Sequence, residues 1–67
     1  MSPEFIARMR HLNQLQKDLR AAINSEYHNM ISTRRLTSDE ADLICTLLTP
    51  ATELADAFDS VMPQLKP

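Results

Sequence analysis

Apolar residues recur at steps of three and four through the first half of the chain: Phe5, Met9, Leu12, Leu19, Ile23 and Met30, with Leu15 and Ala22 beside them. That period belongs to one face of an α-helix and excludes a strand. No glycine occurs anywhere, and no proline interrupts the series after Pro3. The spacing therefore predicts one amphipathic helix over about residues 3–31, roughly 42 Å long at 1.5 Å per residue. Ser2-Pro3-Glu4 supplies its start, with a hydroxyl N-cap, proline at the first helical position and an acid in the first turn. The letters Ser-Pro-Glu-Phe also match the scar a cloning vector leaves. The opposite side of this helix carries Arg10, Gln14, Lys17, Asn24 and His28, flanked by Asn13 and Arg20.

The pattern breaks at Ser32-Thr33-Arg34-Arg35, and residues 32–37 read as a turn. Thr37 and Glu40 are spaced as a capping box, and Leu36 is placed to staple onto Ala41. The apolar series then resumes with Ile44, Leu47, Leu48, Ala51, Leu54, Ala55, Phe58, Val61, Met62 and Leu65, widened by Leu43 and Ala57. It predicts a second helix over about residues 38–62, stopped by Met62-Pro63. Pro50 either kinks this helix or opens a new one capped by Thr49. The heptad phase passes through Pro50 unchanged, which favours one kinked helix.

Two long helices joined by a short turn fold back as an antiparallel pair. The expectation is an all-α, single helical-hairpin domain spanning residues 1–67. Folding about the turn sets Leu12 near Phe58, Leu15 near Ala55, Leu19 near Ala51, Ile23 near Leu47 and Tyr27 near Leu43. A chain this short buries only about 60% of its unfolded surface. The apolar arc of the second helix is also wider than the seam one partner covers. A homodimer closing into a four-helix bundle follows as the structural expectation, with Leu12, Leu15, Leu19, Ile23, Ile44, Leu47, Leu48, Leu54, Phe58 and Val61 filling its core and dimer contacts.

Chemistry is sparse. Without glycine there is no P-loop, dinucleotide fingerprint or nucleophile elbow. The single cysteine, Cys45, has no disulfide partner in the chain and reads as a small buried or half-buried thiol beside the seam. His11 and His28 lie about 25 Å apart along one helix, too far to share a metal within one chain, which leaves only pairing across a dimer axis. Glu53, Asp56 and Asp59 read as a solvated acidic face rather than paired catalytic carboxylates. Met9, Met30 and Met62 read as core filler. No enzyme activity, cofactor, metal or small-molecule substrate is expected. No apolar run is long enough to span a membrane and no leader precedes the helix, so a cytoplasmic protein is expected. Residues 1–35 carry a net charge of +3 and residues 36–67 a net charge of −5. That split lets a basic helix lie beside an acidic one, or serves two partners of opposite sign.

The run Leu36-Thr37-Ser38-Asp39-Glu40-Ala41-Asp42-Leu43-Ile44-Cys45, followed by Ala51-Thr52-Glu53-Leu54, resembles the second helix of the Rop (Rom) plasmid copy-number regulators. The resemblance covers about that third of the chain, with a one-residue gap. It implies a dimer of helical hairpins whose paired first helices bind a complex of two RNA loops. Arg10, Gln14, Lys17 and Asn24 match the polar part of that face. No aromatic residue occupies the strip, Asp18 lies beside it, and Pro50 departs from the pattern.

Two functions fit. The first is a small regulatory module that binds a larger host or regulatory protein and inhibits or redirects it, as accessory proteins of phages and plasmids do. Its candidate contacts are Arg10, Gln14, Lys17, Arg20, Asn24, the Arg34-Arg35 turn, and the acidic edge at Asp56 and Asp59. The alternative is structured-RNA binding by paired first helices. A net charge of −2 and a sequence pI of about 5.5 favour the protein partner.

Overall fold

The computed structural model describes residues 1–66; Pro67, the last residue of the expected domain, lies outside them. Helix α1 spans Pro3–Thr33 and helix α2 spans Ser38–Val61, followed by a 3-10 turn over Met62–Gln64. The all-α hairpin expected from the periodicity is present, and local chemistry explains its boundaries. Ser2 Oγ accepts the Phe5 N–H at 3.1 Å and caps α1. The Thr37–Glu40 capping box forms in full: Thr37 Oγ1 accepts the Glu40 N–H at 3.2 Å, and Glu40 Oε1 accepts the Thr37 N–H at 3.1 Å.

α1 extends past Ile31, where the apolar period ends, to Thr33. Its last carbonyls find donors without a glycine cap. The Arg34 N–H donates to the Met30 carbonyl at 3.1 Å, and the hydroxyls of Ser32 and Thr33 donate to the Asn29 carbonyl at 3.0 and 3.1 Å. Residues 34–37 alone make the turn. α2 runs unbroken through Pro50, so no fresh helix opens at Thr49. Proline removes the amide that the Thr46 carbonyl would accept, and Thr46 and Pro50 both sit on exposed helix surface where water can replace it.

Two helices side by side form a single layer measuring 49 × 17 × 12 Å. The radius of gyration is 15.6 Å, against about 11 Å for a compact chain of this length. Each helix has one neighbour, so only one seam is covered. On α1 the better-covered residues are Ile6, Met9, Asn13, Gln16, Ile23 and Tyr27; on α2 they are Ala41, Ile44, Leu48, Ala51, Ala55 and Phe58, continued by Met62 of the 3-10 turn, with Glu40 half-buried beside Ala41. Both series alternate steps of three and four (doubled once on α1, at Arg20), the heptad seam of an antiparallel helix pair.

This seam corrects the pairing expected from sequence. Leu12, Leu15 and Leu19 are 48, 48 and 60% exposed, and Leu43 and Leu47 also point to solvent. The inward stripe of α1 sits one residue further along, and it puts Asn13 and Gln16 in the seam, with Gln16 beside Ala55 of α2. An a/d seam buries about two of every seven positions. Both helices carry apolar arcs wider than that, so an isolated pair must leave one stripe of each outside. Of the ten residues assigned to core and dimer contacts, Ile23, Ile44, Leu48 and Phe58 line the hairpin seam or its edge. Leu12, Leu15, Leu19, Leu47, Leu54 and Val61 lie outside it.

The middle of the seam is polar. Gln16 is only 8% exposed, and its Nε2 donates to Asn13 Oδ1 at 3.0 Å while its Oε1 has no partner among the described residues. An unpaired buried acceptor costs about 1–3 kcal/mol. Gln16→Leu is therefore expected to stabilise the fold by about 1 kcal/mol, raising the circular-dichroism melting midpoint by roughly 4–8 °C. A lower midpoint would place Gln16 outside the seam.

Candidate interaction surface

The outward leucines of both helices gather on one broad side of the layer. On α1 the outer stripe runs through Phe5, Arg8, Leu12, Leu15, Leu19, Ala22 and Glu26, each one position before a seam position. On α2 it runs through Glu40, Leu43, Leu47, Pro50, Leu54, Ala57 and Val61, again one position before. Stepping back one residue turns a helix by about 100°. Because α2 runs the opposite way, the two rotations are opposite when viewed from one end, and both stripes reach the same side. Apolar grooves between the helices record this: one is lined by Met9, Leu54, Ala57, Phe58 and Val61, another by Ala22, Ile23, Met30, Ile44 and Leu47 with Glu26.

The positions one step past the seam form the other side, which is polar. α1 contributes Arg10, Gln14, Lys17, Asn24 and His28; α2 contributes Asp42, Cys45, Thr49, Thr52, Asp56 and Asp59. A shallow groove at its centre brings together Gln16, Lys17, Arg20 and Asn24 of α1 with Ala55 and Asp59 of α2. Four of the sequence-derived contact residues (Lys17, Arg20, Asn24 and Asp59) thus meet in one place. Arg10 and Asp56 lie on the same side outside that groove. Gln14 is exposed and donates its amide to Asp18 Oδ1 at 2.9 Å. Cys45 corrects its expected position: it is exposed on the polar side, neither buried nor half-buried, because the seam residue is its neighbour Ile44. His11 and His28 are exposed, and the His28 ring meets that of Tyr27 edge-on with centroids 5.8 Å apart.

Arg34 and Arg35 lie at the far tip of the rod and part company in role. Arg34 Nη1 donates to Glu40 Oε1 at 3.0 Å, and its Nη2 donates to Glu40 Oε2, making a bidentate clasp across the turn. Sequence spacing pointed to the Thr37–Glu40 box but not to this third partner, six residues before the glutamate. Arg35 is exposed and makes no ion pair among the described residues. Among the described residues, no three His, Cys, Asp or Glu side chains gather as a metal site, and no helix is long and apolar enough to cross a membrane.

The clasp makes the turn sensitive to acid. The Arg34 guanidinium, and after it the Thr37 amide and hydroxyl, hold the Glu40 carboxyl at about 2, below its ordinary 4.5. A folded value below the unfolded one stabilises above the unfolded pKa, and that contribution is lost as pH falls toward the folded pKa. Between pH 5 and pH 2 the melting midpoint of the wild type is expected to fall more steeply than that of Glu40→Gln. Parallel pH profiles for the two proteins would remove this role from Glu40.

No protein-family model matches the chain, and neither the curated proteins nor the solved structures compared with it give a match.

Proposed function

We propose that this chain is a non-enzymatic binding module of the cytoplasm. Two copies close over their leucine sides into a four-helix bundle, and the charged sides left outside hold a larger protein and inhibit or redirect it. The observation that carries this reading is the row of outward leucines on a hairpin whose own seam holds Asn13 and Gln16. Hydrophobic burial is the dominant force in folding and association. A hairpin that turns amides inward and leucines outward is built to be completed by another surface. The exposed area points the same way. It is 5211 Å², whereas a compact monomer of this mass exposes about 4,300 Å². The difference, about 900 Å², matches the roughly 800 Å² that each partner contributes to a standard stable interface.

For the larger partner, the polar side offers both signs at once: Lys17 and Arg20 beside Asp59, with Asp56 on the same side. Mixed charge suits a protein surface with complementary patches, where it gives register and specificity. It weighs against the nucleic-acid alternative, because a phosphate backbone meeting Lys17 and Arg20 there also meets carboxylates.

Sedimentation at high micromolar concentration is expected to give twice the 7.6 kDa chain mass. Leu15→Glu is expected to give a monomer, while a monomeric wild type removes the bundle. Lys17→Glu with Arg20→Glu is expected to leave the dimer intact and abolish capture of the partner protein. Retention on heparin, or a shift of cellular RNA, that disappears in Lys17→Glu would instead establish the RNA reading.

A further inference from the structure

The polar groove gathers groups that lack partners. Lys17 and Arg20 make no ion pair with Asp59, or with any other side chain among the described residues. Gln16 lines the same groove, and its Oε1 is a buried side-chain acceptor without a donor among those residues. Native folds keep few such atoms, and each needs a physical reason. Packing supplies none here, since the Gln16 amide bonds only Asn13 on its own helix. A donor entering the groove would supply one.

Resting on the partner binding proposed above, we infer that this groove receives one face of an α-helix of the larger protein, bearing an arginine and an acidic residue one turn apart. The turn at residues 34–37 sets Gln16 across from Ala55. Asp59, four residues past Ala55, then lies about 6 Å toward the open end of the rod. Lys17 and Arg20 lie about 2 and 6 Å the other way. A guanidinium set between Asp59 and Gln16 donates to both, because its five N–H groups form a planar fork. The terminal torsion of glutamine is broad, so the amide turns toward the arriving donor. A carboxylate one turn further along the same helix face meets Lys17 and Arg20, the spacing of residues four apart. Other occupants fit less well. A compact small molecule would stay mostly in water in so shallow a groove. An extended segment needs a sheet edge for its amides, and the described residues hold no strand. A helix satisfies its own backbone and packs a ridge of side chains into the groove between two others.

The test is an NMR titration of the full chain with an alanine-rich helical peptide carrying glutamate and arginine four residues apart. At about 1 mM the peptide is expected to shift the side-chain amide of Gln16 together with the signals of Arg20 and Asp59. The same peptide with glutamine at both positions is expected to shift none of them. Gln16→Leu is expected to bind the charged peptide about tenfold more weakly even as its melting midpoint rises, whereas a merely structural amide would move the midpoint alone. Equal affinity for Gln16→Leu overturns the inference, as do equal shifts caused by the glutamine peptide or by inorganic phosphate. A titration in which nothing moves also overturns it; if Lys17→Glu with Arg20→Glu still abolishes capture of the partner protein, the binding side stands without the helix. Capture that survives those two substitutions overturns the reading beneath.

Discussion

A helix in a two-helix layer has one neighbour, and that limit governs everything else in this protein. Helix α2 carries two adjacent apolar stripes, α1 carries a leucine stripe beside a mixed one that holds Asn13 and Gln16, and a pair of helices buries only one stripe from each. Rotating α2 would hide its outer stripe only by exposing the inner one. The result is a rod 12 Å across its thinnest dimension, with Ile6 and Ala55 as its buried apolar residues. Chains below about 70–80 residues seldom reach useful stability from one core alone. Here the seam between the two helices is all the core the hairpin has, which is the physical ground for the second layer proposed above.

The polar centre of the seam gives this limit a direction. At the heights of Asn13 and Gln16, α1 had leucines to offer, and the structure turns them outward. Facing α2 with Leu12 and Leu15 would bury more hydrocarbon in an isolated hairpin. Facing it with amides sacrifices stability, and Gln16, beside Ala55 in the central groove, takes its bond from its own helix, to Asn13. Single buried polar side chains are best attested in helical assemblies as devices that set register at a cost in stability. A rotation that wastes leucines in one layer becomes economical once a second layer covers them.

Much of the fold was legible in the sequence, because caps and periods are local. Ser2, the Thr37–Glu40 box, the break before Leu36 and the continuity of the heptad through Pro50 each depend on residues within one or two turns. The surplus width of the apolar arc was legible too, as was the grouping of Lys17, Arg20 and Asn24. What was not legible is which stripe turns inward. Rotational phase depends on both helices together, and hydrophobicity alone selects Leu12, Leu15 and Leu19 over a stripe interrupted by Asn13 and Gln16. Cys45 was misplaced for the same reason, since moving the seam by one residue carries its neighbour from the seam edge to solvent. The Arg34–Glu40 clasp bridges two helices across a turn, so no single-helix pattern announces it.

The turn is where that rotational phase is set. Only residues 34–37 separate the helices, and both ends of the segment are tied. The Arg34 amide closes α1 on Met30, Thr37 opens α2, and the Arg34 guanidinium grips Glu40 across the gap. A loose connection would let α2 roll about its own axis. This one holds the first turn of α2 by a backbone bond, a hydroxyl and a charge together. Glu40 belongs to the outward stripe of α2 and Ala41 to the inward one. With Glu40 held by Arg34, the positions that follow it, Ala41, Ile44 and Leu48, are the ones that face α1. At 3.6 residues per turn, Leu43, Leu47, Leu54 and Val61 fall with Glu40 on the open side. The outward stripe of α2 thus starts at the residue that closes the turn, with Leu54 about four turns and Val61 about six turns further along the helix.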